Sequence, residues 1–190
     1  RQHYMSATAP MFAKRMVHEH KVLDKEPLDY ADAYPDPNNL YKWYFMIIGP
    51  ESTIYEGGVY LGIITLPPNY PFGPPSMQLL TPSGRFSVKQ NICMSNLSYH
   101  PESHSPAWTL HKYLVGLISV ITDTTITGVG HLHSHDAEKK KHRDGSESYN
   151  TKNHPGIFDC PRFTRLREKA NAMKQKNVGG GGKKKLFGLF

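Results

Sequence analysis

Cys93 is the residue whose type and setting could carry covalent chemistry. It heads the run ICMSNLSYHPESHSPAWTL, Ile92–Leu110: a polar, Pro-punctuated loop, then a Trp, then a helix start at Thr109. A thiolate attacks readily, and a loop with His, Ser and Trp beside the thiol suits a nucleophile. The same residue could equally be a small buried hydrophobe, because free cysteine is among the most buried side chains. A second cluster invites a metal: His131, His133 and His135, with His142, His154 and Cys160 downstream. Structural zinc uses His and Cys, but His-x-His-x-His with one lone Cys is not a finger spacing. The segment reads as solvated and polar, with no metal and no organic cofactor, and Cys160 as structural.

Several classes are excluded or disfavoured by composition. The chain has 190 residues, 38% hydrophobic and 21% charged, enough for one core plus an appendage. Two cysteines make no disulfide framework. No run of 18 apolar residues exists, so no transmembrane segment is expected, and KKKLFGLF is too short to span. No signal-peptide core lies near Arg1, and a start at Arg suggests trimming or processing. Residues 1–121 hold 9 Lys/Arg and 9 Asp/Glu, so residues 122–190, with 14 and 7, carry the whole net charge of +7. A basic extension can meet nucleic acid, anionic lipid or an acidic protein face, or simply aid solubility. Nucleic acid is disfavoured, because no interleaved aromatics or known module accompany the charge.

The elements that must position Cys93 are legible. Ser6 or Thr8 can cap a first helix with Pro10 in its opening turn. Phe12, Met16, His20 and Leu23 recur at helical spacing, with Lys14, Arg15 and Glu19 mostly on the other side. Pro27 ends that helix. Strands are expected at Tyr30–Tyr34, Tyr41–Ile48, Val59–Leu66 and Ser76–Leu80, the second apolar on both sides. Ser83 to Trp108 shows nothing regular, and a stretch that long inside a compact domain is usually functional. Thr109 then caps a helix with Leu110, Leu114, Leu117, Ile118 and Ile121 on one side. Helices are expected again at Asp136–Gly145 and Phe163–Lys176, followed by a flexible Gly- and Lys-rich end. The layout is α+β: a catalytic-type domain over 1–121 and a divergent basic extension over 122–190.

These residues carry a resemblance. YEGGVY (Tyr55–Tyr60), YPFGPP (Tyr70–Pro75), LLTPSGRF (Leu79–Phe86), NIC (Asn91–Cys93) and HPESHSPAWTL (His100–Leu110) follow one another as in the catalytic domain of ubiquitin-conjugating enzymes. The match runs from about Pro10 to Ile121. It is most similar to the branch usually tail-anchored in the endoplasmic reticulum for protein quality control, which shares the EP-then-strand opening and the TPxGRF turn. The resemblance implies an N-terminal helix, a four-stranded antiparallel meander, a long loop with the cysteine and a central helix. It also implies that Cys93 accepts ubiquitin as a thioester from an activating enzyme and passes it to an amine. Phe72, Pro106 and Ala107 match the loops that grip RING-type ligases, and Lys14 and Arg15 match the helix side shared with the activating enzyme. The setting implied is cytoplasmic, or the cytosolic face of the endoplasmic reticulum.

Two departures stand out. Where the family has an Asn before the cysteine, thought to stabilise the oxyanion or order the loop, this chain has Ser83. One lost oxyanion donor typically costs on the order of 100–1000-fold in rate. The acidic residue often found after the second helix has no clear counterpart, since Asp123 comes early and TTITGVG holds no carboxylate. With a basic extension where the branch has its anchor, these leave a second reading open. In it the fold is kept without the chemistry, as an interaction subunit among neighbouring proteins in a large, organellar (mitochondrial) assembly.

Overall fold

The computed structural model describes residues 5–95 and 97–180. Helix α1 spans Met5–Lys25. Ser6 and Thr8 therefore lie inside the helix rather than ahead of it; Met5, Ala7 and Ala9 are strong helix formers and carry it past the expected cap. The strands β1 (Ala31–Asp36), β2 (Asn39–Ile48), β3 (Val59–Thr65) and β4 (Ser76–Leu79) form one antiparallel sheet in the order β1-β2-β3-β4. Helix α2 spans Leu110–Thr122; α3 (Asp136–Asn153), α4 (Pro155–Phe158) and α5 (Thr164–Gly180) follow. The Gly- and Lys-rich end lies, from residue 181 on, outside the described residues. No helix among the described residues is long and apolar enough to cross a membrane.

Strand alternation gives the sheet two apolar faces. Trp43, Phe45 and Ile47 of β2 join Ile64, Met77 and Leu79 under α1 and α2, which contribute Phe12, Met16, Leu23, Leu114 and Leu117. The alternate residues, Met46 and Ile48 with Val59 and Leu61, pack against Phe158, Phe163, Leu166, Ala170 and Met173. The sheet is thus a middle layer, and the boundary expected after residue 121 is not a boundary in packing. The chain beyond it covers the second apolar face of the sheet with Phe158, Phe163, Leu166, Ala170 and Met173.

Packing, more than charge, docks that extension. Four large apolar side chains from α4, α5 and the turn between them each contribute roughly 1.5–3 kcal/mol on burial. Ion pairs link it to the neutral half: Arg162 with Asp24 and Asp32, Lys169 with Asp29, Lys176 with Glu51. At exposed positions such pairs bring only about 0–1 kcal/mol each. Helix α3 docks differently, through polar side chains. Val59 donates its N–H to Ser146 Oγ (2.9 Å), and Asn150 Nδ2 donates to the Val59 carbonyl (2.9 Å). Asn150 Oδ1 accepts from Thr81 Oγ1 (2.5 Å), which itself accepts from the Leu61 N–H (2.9 Å). The helix runs eight residues past Gly145, which is exposed, so the glycine costs it only about 1 kcal/mol.

In α1 the buried stripe is Phe12, Met16, Glu19 and Leu23, while His20 is exposed. A fully buried carboxylate replaces the expected imidazole because three donors converge on it. They are Arg15 Nε (2.6 Å), Tyr70 Oη (2.6 Å) and the Leu110 N–H (2.7 Å), the last at the start of α2, where unpaired N–H groups favour an anion. Burial, then the nearby Glu19 charge, raises the Tyr70 phenol well above its ordinary range. Thr109 caps the same helix end through Lys112 N–H (3.4 Å).

Candidate active site

The segment carrying Cys93 is strapped to the outer side of β4. Lys89 N–H donates to the Leu79 carbonyl (2.8 Å) and Ile92 N–H to the Met77 carbonyl (2.9 Å), while Gln78 Nε2 bonds Asn91 Oδ1 (2.8 Å). Ile92 and Met94 are buried on either side of the cysteine. Cys93 itself is half-buried with a free thiol. Its N–H donates to the Val129 carbonyl (2.9 Å). A Cβ added at Gly128 would stand 3.0 Å from Cys93 Cβ and 3.1 Å from Sγ, so the bare backbone there is what leaves room beside the sulfur.

Ser83 holds the turn before the cysteine. Its Oγ, fully buried, accepts from the N–H groups of Arg85 (3.1 Å) and Phe86 (3.2 Å). In both bonds Ser83 Oγ is the acceptor, and together they order the turn ahead of the cysteine. Gly84 takes the left-handed conformation (φ +70°) that the turn needs and packs on Lys139 of α3. The turn delivers Arg85 into the interior. Its guanidinium donates to the carbonyls of Asp123 (2.8 Å) and Ile126 (2.6 Å) and to His131 Nδ1 (2.9 Å). Burial pushes the Arg85 pKa down. Arginine cannot accept, so His131 Nδ1 is the acceptor and its Nε2–H donates to the Cys93 carbonyl (2.7 Å). Phe86 meets the same imidazole edge-on at 5.1 Å. His131 is therefore a brace under the cysteine rather than part of a solvated histidine run.

On the other side, His100 Nε2 lies 3.3 Å from Cys93 Sγ, and His100 Nδ1 lies 3.1 Å from Glu102 Oε1. The turn Pro101–Ser103 follows His100 directly and carries Glu102 beside the His100 ring. Neither residue was singled out in the sequence; the signal was a His-Pro-Glu triplet seven positions after the cysteine. Asp123, the early carboxylate, is exposed and accepts from Thr125 N–H (2.9 Å) and Oγ1 (2.6 Å), bonds that lower its pKa. No three His, Cys, Asp or Glu among the described residues gather as a metal site.

The residues expected to meet partners lie at one end of the molecule. Phe72 is 62% exposed; Lys14, Pro106 and Ala107 are exposed too. Arg15 holds this end together from inside: it donates to the carbonyls of Pro106 (2.8 Å) and Trp108 (2.5 Å) and bonds Glu19. His104 links the two loops, with Nε2 at 2.7 Å from the Pro71 carbonyl and Nδ1 at 2.7 Å from Tyr113 Oη. Trp108 packs half-buried against Tyr113, ring centres 5.5 Å apart.

Residues 15–153 match the model of the family described as ubiquitin-conjugating enzyme. The chain belongs to the ubiquitin-conjugating enzyme family. The match continues through α3, well beyond the expected boundary. Ubiquitin-conjugating enzyme E2 6 of Schizosaccharomyces pombe is 37% identical over 150 residues, 79% of this chain and 63% of that protein. Ubiquitin-conjugating enzyme E2 34 of Arabidopsis thaliana is 38% identical over 139 residues, 73% of this chain and 58% of that protein. The E2 J2-like protein of Dictyostelium discoideum is 38% identical over 139 residues, 73% of this chain and 81% of that protein. The chain thus spans about six-tenths of the length of several curated relatives. A solved structure of human ubiquitin-conjugating enzyme E2 G1 superposes with a TM-score of 0.51 at 30% identity, covering 62% of this chain and 96% of that one. The family fold, helix then four-stranded antiparallel sheet then further helices, is the fold seen here.

Proposed function

We propose that this member of the family is an active transferase. Cys93 takes ubiquitin as a thioester from an activating enzyme and passes it, with a RING-type ligase, to a substrate lysine. The observation that carries the reading is the setting of Cys93: a free, half-buried thiol on a segment fixed to β4, with an imidazole 3.3 Å away. The reaction needs no metal or organic cofactor. Phe72, Pro106 and Ala107 would meet the ligase, Lys14 would face the activating enzyme or ligase, and Arg15 would position the loop between them. Ser83 would act through its turn. Likeness to the E2 6 enzymes, with the TPSGRF turn and the EP-then-strand opening, supports the endoplasmic-reticulum branch. That branch would put the protein in quality control on the cytosolic face.

The test is incubation with activating enzyme, ATP and ubiquitin. A reducible adduct is expected that Cys93→Ala abolishes. Folded protein that forms none would instead favour the second reading, an interaction subunit without chemistry. The buried, internally bonded Ser83 hydroxyl is the observation on that side.

A further inference from the structure

We infer that His100 is the proton acceptor for Cys93, and that Glu102 positions it, so the transferring thiol carries its own base. The inference rests on the transferase reading above for its role in turnover, and on geometry alone for the proton. His100 Nε2 is 3.3 Å from Cys93 Sγ, and Nδ1 is 3.1 Å from Glu102 Oε1. A carboxylate can only accept, so its place at Nδ1 keeps the ring proton there and leaves Nε2 bare toward the sulfur. The Glu102 pKa is lowered by its own backbone N–H and by His100, which keeps it ionised for this task. The turn opened by Pro101 is what brings the three groups into line.

The other titratable groups near the pair do not compete for the role. His131, on the segment across from the thiol, gives Nε2–H to the Cys93 carbonyl and takes Arg85 on Nδ1. Asp123 is held by Thr125. No carboxylate follows α2 in TTITGVG. His100 supplies a base from the opposite side of the cysteine.

Both half-reactions balance. In loading, the Cys93 S–H proton passes to His100 Nε2 while Sγ attacks the carbonyl carbon of the donor thioester. The donor C–S bond breaks, and the donor sulfur leaves with the proton returned by the His100 imidazolium, which frees Nε2 for discharge. In discharge, the attacking amine bonds to the carbonyl carbon and gives its proton to Nε2. The C–Sγ bond breaks, and the imidazolium returns the proton to the departing Cys93 thiolate. Nothing is oxidised or reduced.

Two readouts test the base. The first needs no ubiquitin: the rate at which iodoacetamide alkylates Cys93 at neutral pH, followed on the Cys93 peptide by mass spectrometry. His100→Gln should slow it several-fold. The second is single-turnover discharge of the loaded protein to free lysine. There, loss of a general base costs about 100-fold or more. In His100→Ala, added imidazole should recover much of that rate, which a packing defect would not allow. Glu102→Ala should slow discharge several-fold, and Glu102→Gln, whose amide oxygen still accepts from Nδ1, should restore it. His100 is 44% exposed, so these variants should keep the wild-type melting transition. Equal alkylation of wild type and His100→Gln overturns the inference, as does unchanged discharge or failed imidazole rescue. If wild type forms no thioester, the transferase reading fails, and the alkylation rates still decide whether His100 draws the proton.

Discussion

Glu19→Gln isolates the energetics that hold the partner end to the core. The substitution keeps the shape of a side chain with no solvent exposure and removes its charge. Glu19 Oε1 takes Arg15 and Tyr70 Oη, and Oε2 takes the Leu110 N–H. A glutamine oxygen can replace one of these positions. Its NH2 then faces a donor at the other, leaving that buried donor unpaired at about 1–3 kcal/mol. The remaining bonds lose the assistance of the charge, and the Arg15 guanidinium loses its counterion. Together the loss should be about 3–5 kcal/mol, the range for breaking a buried ion pair. With a urea slope near 2 kcal/mol per molar, the midpoint should fall by roughly 1.5–2.5 M. Fluorescence or circular dichroism against urea reads the midpoint. Hydrogen exchange at 106–110 should rise in parallel, because Arg15 and Leu110 both lose their anchor. A midpoint within about 0.25 M of wild type would show that Arg15 and Leu110 find other partners, and the hub described here would not be the restraint it is taken to be.

Gly128→Ala should leave the fold intact yet crowd the sulfur, since its Cβ would lie 3.1 Å from Cys93 Sγ; alkylation of Cys93 slowed several-fold, with an unchanged melting curve, is the expected pair of results. Asn150→Ala strips the Val59 carbonyl and Thr81 Oγ1 of buried partners, so stability should drop by about 2–4 kcal/mol in denaturant titration, and a loss under about 1 kcal/mol would mean α3 is not held by these bonds. Docking of the basic extension should weaken in acid. Hydrogen bonding from Arg162 lowers the Asp24 pKa below its ordinary 3.8. A depressed carboxylate stabilises the folded state above the unfolded value and loses that contribution as pH falls through the folded one. Exchange protection of α5 should therefore decline below about pH 4, and Asp24→Asn should remove the pH-dependent part.

What the sequence made legible was whatever its period made redundant. β2 reads as apolar on both sides because every residue from Trp43 to Ile48 is apolar, and the sheet is buried on both sides. Leu110, Leu114, Leu117 and Ile121 announce α2 by spacing alone, and Cys93 stands out by type. Glu19 was misread because its partners lie 51 and 91 positions away, and a carboxylate on a helix is usually solvated. Helix α3 carries no apolar stripe; it docks through Ser146 and Asn150, whose meaning depends on Val59 across the sheet. The boundary expected after 121 follows from the charge asymmetry and from where the resemblance ends, and neither reports packing. Leu166, Ala170 and Met173 recur at helical spacing in α5, but nothing in that spacing says that they cover the second apolar face of β2. His100 and Glu102 sit two residues apart in a loop, where no periodicity exists to report that a turn sets His100 against the sulfur and Glu102 against the far nitrogen of its ring.

The strapping of residues 88–92 along β4 has a further effect, on how copies of the chain behave toward one another. A four-stranded sheet has two outer strands whose unpaired N–H and C=O groups invite another chain to add itself. On β4 those groups are engaged by Lys89 and Ile92 of the cysteine segment. On β1 the outer strand carries Pro35, which has no N–H to offer. The segment that holds Cys93 in register therefore also seals a strand edge. A mutation that frees it should announce itself first as self-association through β4, at protein concentrations where the wild type stays dispersed.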